Sequence, residues 1–272
     1  MALLSASGLP ASQPSFWQAL RVQWRVIDAL LRREMLTRYG RHNIGFLWLF
    51  VEPMIFTIGV TILWTATKSV HGSDLPISSF ALTGYSSVLL WRNMPGRCIG
   101  ALQNNLALMY HRNIKVFDIY VARLLIEFGG ATISFASLSV LFIAIEWMKP
   151  PEDFLQVAAG WLILAWFGSA LAIGLGALSH RSELVDKLWH PASYLLFPLS
   201  GAAFIVAALP PFAQEIVLYI PTVHGIEFLR EGFFGPRARA TYDLAYVIPF
   251  NMVLTLVALI ALRYVSRRVV PG

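Results

Sequence analysis

Residues 154–178 read FLQVAAGWLILAWFGSALAIGLGAL, and no charged side chain occurs between Asp153 and Arg181. About 20 apolar residues suffice to cross the hydrocarbon core of a bilayer. A helix on the surface of a soluble protein needs only one apolar stripe; this stretch is apolar on every side and predicts a transmembrane helix. The same criterion, applied outward in both directions, gives five more spans: Gly45–Trp64, Ile77–Trp91, Tyr120–Ile145, Leu188–Leu209 and Leu244–Leu262. The second is the weakest, because its uncharged stretch stops at Arg92 and a full crossing requires the helix to continue past it. Composition agrees: 57% of the 272 residues are hydrophobic, 13% are charged, and the mean hydropathy is +0.63. A soluble domain carries roughly 25% charged residues, so an ordinary cytosolic enzyme, a coiled coil and a disordered chain are excluded. The expected fold class is an all-α polytopic membrane protein with six transmembrane helices.

An even number of spans puts both termini on one side, and Lys/Arg counts choose the side. One set of flanks carries Arg21, Arg25, Arg32, Arg33, Arg38, Arg41, Arg92, Arg97, Arg112, Lys115, Arg123, Arg181, Lys187, Arg263, Arg267 and Arg268; the other carries Lys68, Lys149, Arg230, Arg237 and Arg239. Sixteen against five places both termini in the cytoplasm. The net charge of +6 is therefore a matter of topology, and no nucleic-acid partner is expected.

Residues 1–44 form a cytoplasmic segment ahead of the transmembrane domain, 45–272. In it Phe16, Leu20, Trp24, Ile27, Leu31 and Met35 recur at helical spacing with Gln18, Arg21, Arg25, Asp28 and Arg32 between them. That pattern predicts an amphipathic helix lying in the membrane interface or packed on another subunit. Two connections are long enough to hold function. The inner one, about 98–118, contains IGALQNNLALMYHRNIKVFD; a helix there would dock Leu102, Leu106 and Met109 into a partner's groove, or simply link two spans. The outer one, about 210–243, has short apolar runs broken by prolines and glycines. It suits two short re-entrant helices shielded by protein or water, with Glu215, Glu227, Arg230 and Glu231 near the external surface or a pore mouth.

Catalytic chemistry is sparse. No Gly-Lys dipeptide occurs, which excludes a P-loop for ATP, and the single cysteine, Cys98, excludes an internal disulfide. The six histidines lie at or beyond span ends without metal-ligand spacing, so neither a metal nor a cofactor is expected in this chain. Glu52 and Glu127 lie inside spans, where charges are usually paired or pore-facing; Arg123, one turn before Glu127, is positioned to pair with it. Arg92 and Arg97 would sit in the inner part of the membrane, either snorkelling to headgroups or forming a cationic entrance for an anionic substrate. Aromatics concentrate at span ends as an interfacial belt, and sugar rings also stack on such faces. Trp48, Tyr85, Trp91, Phe233 and Phe234 are the candidates to line a path with the two arginines. Gly168, Ala172 and Gly176 form a small-residue stripe for close packing within or between subunits.

Several stretches together resemble one family. Leu31–Gly40 reads LRREMLTRYG, followed by Gly45-Phe46-Leu47-Trp48 and Glu52-Pro53. Asn104-Asn105-Leu106 with Lys115 resembles a cytoplasmic coupling segment. Pro221, His224-Gly225, Glu227 and Arg230-Glu231-Gly232-Phe233-Phe234-Gly235 resemble an external re-entrant run. The chain is identified as similar to type-2 ABC exporter permeases, nearest the capsular polysaccharide export (KpsM-like) branch, with O-antigen permeases close by. The resemblance implies a homodimer in the bacterial inner membrane that passes a lipid-linked polysaccharide outward. It implies a separate ATPase dimer that binds ATP and Mg and docks on the coupling segment, and a periplasmic adaptor and outer-membrane channel continuing the route. From the residues alone, a stand-alone flippase stays open. So does a lipid-linked glycan-modifying enzyme built on His224, Glu227 and Glu231.

Overall fold

The computed structural model describes residues 15–40, 43–67, 75–111 and 114–269; Arg41, His42, Lys68, His71 and Arg112 lie outside the described residues. Among the described residues the chain is all-helical, with ten α-helices. In chain order these are α1 (Phe16–Tyr39), α2 (Asn43–Ala66), α3 (Ile77–Cys98), α4 (Leu106–His111), α5 (Val116–Ala144), α6 (Phe154–Ser179), α7 (Leu184–Leu199), α8 (Pro211–Val217), α9 (Pro221–Phe234) and α10 (Leu244–Val269). Stretches of four of them, Leu47–Ala66, Val116–Ala144, Phe154–Ser179 and Leu244–Arg268, are long and apolar enough to cross a membrane. The chain is a polytopic membrane protein.

The α6 helix is the central post, packing on α3, α9 and α10. Asp153 starts it by accepting the Gln156 backbone N–H at 3.0 Å, which satisfies one of the orphan donors of a helix N-terminus. Its small residues set the spacing. A β-carbon at Gly168 would lie 2.8 Å from Trp91 Cα, and one at Gly176 would lie 3.0 Å from the Cys98 carbonyl oxygen. The Gly168–Gly176 stripe thus packs within the subunit, against α3. On the α9 side, Gly160 meets the Leu229 backbone in the same way. Close backbone approach replaces the hydrophobic driving force that lipid does not supply.

One span follows the expectation for it and one departs from it. The α3 helix does continue past Arg92, ending at Cys98. The fifth span is not a continuous helix over Leu188–Leu209: α7 ends at Leu199 after 16 residues. Pro198 stands in its last turn, and Gly201 follows with φ +91°. A side chain at Gly201 would be strained and would press to 3.2 Å of Val223 Cα, so the backbone turns away there. Residues 200–205 are irregular until a short 3₁₀ turn at Val206–Ala208. Both α8 and α9 begin with proline in the first turn, where its missing N–H is harmless.

The expected apolar stripe of α1 divides. Ile27 is buried, with Leu30 beside it, while Phe16, Leu20 and Trp24 are exposed. The helix runs alongside α5 in the same direction, held by polar contacts. Gln23 Nε2 donates to Asp118 Oδ1 at 2.9 Å, Arg123 Nε pairs with Glu34 Oε1 at 3.1 Å, and Arg38 pairs with Glu127. The α1 helix is therefore a docked structural element along its C-terminal half.

Candidate functional site

A cavity of about 310 Å³ opens between α2, α3, α5 and α7. The face of α3 that borders it carries Tyr85, Arg92, Asn93 and Arg97, which recur at seven- and four-residue spacings and so share one side of the helix. Glu52, Glu127 and Tyr194 line it from the other helices. Arg92 is held from α7: its guanidinium lies 4.3 Å from the Tyr194 ring centroid, and Nε is 3.5 Å from Ser193 Oγ. Cation–π contact of this kind fixes a guanidinium without neutralising it.

Arg97 is held differently. Its Nε lies 3.2 Å from Glu127 Oε1, the same oxygen that receives Arg38. The expected Arg123–Glu127 pair along one helix does not form. Arg123 instead reaches Glu34 and donates through Nη1 to the Arg97 carbonyl at 2.6 Å. Burial explains the exchange: only 8% of the Glu127 side chain is exposed, and a buried carboxylate gains more from two converging guanidiniums than from one partner on its own helix. The residues that the sequence reasoning missed here are Glu34 and Arg38. Their signal is the spacing, since Glu34/Arg38 and Arg123/Glu127 are matching one-turn pairs of opposite sign.

Of the aromatic candidates, Tyr85 lines the cavity. Trp91 does not: it is 1% exposed, stands edge-on to Phe167 at 5.9 Å, and packs over Gly168. Trp48 projects from the outer surface of α2, 57% exposed. Phe233 and Phe234 are buried at the end of α9, edge-to-face with each other at 5.1 Å, and lie outside this cavity.

The inner connection folds as a turn, a 3₁₀ turn at Gln103–Asn105, and α4. Its apolar stripe faces inward: Leu102 is 1% exposed, and Leu106 and Met109 pack on the core. Leu102 is thereby withdrawn from any partner's groove, while Leu106 and Met109 are partly covered. Asn105 is buried too, donating to the Ala101 carbonyl at 2.8 Å and accepting from Arg33 at 2.6 Å. Gln103, Asn104 and Lys115 are exposed.

The outer motif is structural in its contacts. Glu227 and Arg230, expected near the surface, are each 1% exposed. Arg230 donates to three backbone carbonyls of the irregular segment after α7: Gly201 at 2.7 Å, Ala202 at 2.6 Å and Phe204 at 2.6 Å. Its guanidinium also lies 3.8 Å from the Phe80 ring centroid. Glu227 accepts the backbone N–H of Val206 at 3.4 Å and of Thr241 at 3.0 Å. His224 donates from Nε2 to the Leu218 carbonyl at 2.8 Å and accepts the Asp243 N–H on Nδ1 at 2.9 Å. Glu231 accepts from Gln156 at 2.7 Å and from the Tyr242 hydroxyl at 2.5 Å; that hydrogen bond raises the Tyr242 phenol to about 12. Unpaired backbone groups are costly away from water; Arg230, Glu227 and His224 satisfy the ones that broken helices leave, while Glu231 ties α9 to α6 and to Tyr242 through side chains. The Gly235 backbone, at φ +61°, then turns where a side chain would strike Glu152. Among the described residues no three His, Cys, Asp or Glu side chains gather to hold a metal ion.

Residues 25–234 match the family model described as ABC-2 type transporter. The chain belongs to the ABC-2 type transporter family. The match spans α1 to α9, taking in the cavity, the inner turn and the buried outer motif. Relatives cover the chain more fully. The capsule polysaccharide export inner-membrane protein CtrC of Neisseria meningitidis is 41% identical over 257 residues, 94% of this chain and 97% of its own. The capsule polysaccharide export inner-membrane protein BexB of Haemophilus influenzae is 38% identical over 259 residues, 95% and 98%. The polysialic acid transport protein KpsM of Escherichia coli is 24% identical over 242 residues, 88% and 92%. As an ABC-2 type transporter permease, the chain is a transport subunit rather than a catalytic one.

Proposed function

We propose that this chain is the inner-membrane permease of an ATP-driven exporter for a lipid-linked capsular polysaccharide. The observation that carries the reading is the near-end-to-end likeness, at 38–41% identity, to relatives named for capsule polysaccharide export. The chain crosses the membrane six times, through α2, α3, α5, α6, α7 and α10, with α8 and α9 re-entrant from outside. Both termini lie in the cytoplasm, in line with the sixteen-to-five division of Lys and Arg. Two copies form the working unit; the exposed apolar side chains Trp48, Ile55, Phe56 and Ile62 of α2 suit burial against lipid or a second copy. A separate ATPase dimer, holding ATP and Mg, meets the polar face of Gln103, Asn104 and Lys115. A periplasmic adaptor and an outer-membrane channel carry the polymer onward.

The cavity supplies the chemistry of the path. Arg92 and Arg97 attract anionic groups, and Tyr85 and Tyr194 offer faces on which sugar rings stack. The test is export in cells lacking the native gene, complemented with Arg92→Ala or Arg97→Ala. Surface polysaccharide falls while polymer accumulates inside, and the ATPase still copurifies. Undiminished surface polysaccharide in both variants removes the cavity from the path. Normal capsule in the deletion strain itself sinks the functional reading.

A further inference from the structure

Arg97 borders the cavity with 42% of its side chain exposed, yet it is already paired from within. The pairing carboxylate, Glu127, also borders the cavity and is nearly buried. Arg92, facing the same space, is contacted by the neutral Tyr194 ring and Ser193 hydroxyl. An anionic group that enters therefore meets Arg92 directly, but must compete with Glu127 for Arg97. Displacing a buried carboxylate is normally prohibitive, because it leaves an unpaired charge in a low-dielectric site. Here it is not, since Arg38 of α1 binds the same Glu127 oxygen. When Arg97 turns to a substrate, Glu127 keeps a guanidinium partner. Arg97 need not move far: its backbone stays fixed by Arg123, and only the side chain swings.

We infer that Glu127 is a built-in counter-ion that pairs with Arg97 and yields it to an anionic substrate group, with Arg38 as the partner it keeps. Glu127 thereby sets both the affinity and the charge selectivity of the path without touching substrate. The inference rests on the reading of the cavity as the substrate path.

The test uses the full chain in nanodiscs and two amphiphilic probes, anionic dodecyl phosphate and neutral dodecyl maltoside. Replacing a charge-assisted bond by a neutral one weakens the competitor, so Glu127→Gln is expected to tighten dodecyl phosphate binding about fivefold. Dodecyl maltoside binding stays unchanged. Arg38→Gln acts in the opposite direction, weakening dodecyl phosphate binding about fivefold, because Glu127 then has no second partner to fall back on. Damage to the fold would weaken binding in both variants, so the opposite signs are diagnostic. Unchanged or weakened phosphate binding in Glu127→Gln, or equal tightening for both probes, overturns the inference. If Glu127→Gln does not fold, unchanged phosphate binding in Arg38→Gln overturns it. Arg97→Gln separates this result from the parent reading. Unchanged phosphate binding there means that the cavity is not the anion path. Weakened binding there, with no effect of Glu127→Gln, removes only the counter-ion.

Discussion

Replacing Arg230 with methionine should be among the most damaging single changes in the chain. The side chain is 1% exposed and donates to the carbonyls of Gly201, Ala202 and Phe204 at 2.6–2.7 Å. Methionine has similar length and no donor, so three buried acceptors lose their partner together. Hydrogen bonds from a charged group are worth about 1.5–3 kcal/mol each, which brackets the loss at roughly 5–9 kcal/mol. Relief of burying a guanidinium offsets part of this, leaving about 4 kcal/mol. At ~2–4 °C per kcal/mol for a chain of this size, the unfolding midpoint falls by roughly 8–16 °C. Lysine does not rescue the variant, because one ammonium cannot reproduce the planar fork that spans three carbonyls. The assay is thermal unfolding in detergent micelles, followed by the retained monodisperse fraction on size exclusion. A midpoint within 2 °C of wild type for Arg230→Met would refute the claim that this side chain holds the segment after α7 in place.

Three further outcomes test the packing. Gly84→Ala should destabilise in the same assay, since its β-carbon would lie 2.4 Å from the Ala202 carbonyl oxygen and 2.7 Å from Arg230 Nη2; a wild-type midpoint would mean that α3 gives way there at no penalty. Glu34→Arg and Arg123→Glu should each destabilise by about 3 kcal/mol as uncompensated, largely buried charges, and the double exchange should recover most of the loss in a double-mutant cycle. A double variant no better than the singles would show that the two side chains do not pair. On the inner connection, Asn104→Trp should reduce ATPase copurification with little change in stability, whereas Leu102→Ala should lower stability by roughly 2–5 kcal/mol; the reverse pattern would place the docking face on the apolar side.

Hydropathy and charge carried much of the architecture. The start of α6 after Asp153 and its end before Arg181 are legible because charges at both flanks bracket one apolar run. The extension of α3 to Cys98 follows from the length a crossing needs. The fifth span misleads because Leu188–Leu209 is continuous in polarity but not in backbone direction: Pro198 and Gly201 end the helix, and hydropathy does not register φ. The outer motif misleads for a related reason. Whether Glu227 or Arg230 is solvated by water or by peptide groups is a property of the surrounding chain, and the irregular backbone that recruits them cannot be seen before the break after α7 is known. At the cavity, Tyr85 and Arg92 fall together by seven-residue spacing, whereas Arg97, five residues on and so roughly 140° around the helix, joins them only because the cavity borders a broad arc of α3. Trp91 does not, because its position on α3 points to the Gly168 side. Arg123 and Glu127 suggested an internal pair, since one-turn spacing within a helix is visible in sequence and proximity between helices is not.

The contacts between α1 and α5 work like a key with two teeth. Glu34 and Arg38 present opposite signs one turn apart, and Arg123 and Glu127 answer them in the complementary order. Sliding α1 by one turn in either direction would set Arg38 beside Arg123 or Glu34 beside Glu127, juxtaposing like charges in a dry setting. Intermediate positions would leave both teeth unmatched. The registration is therefore quantised, and α1 can travel only as one piece with α5 or detach from it completely.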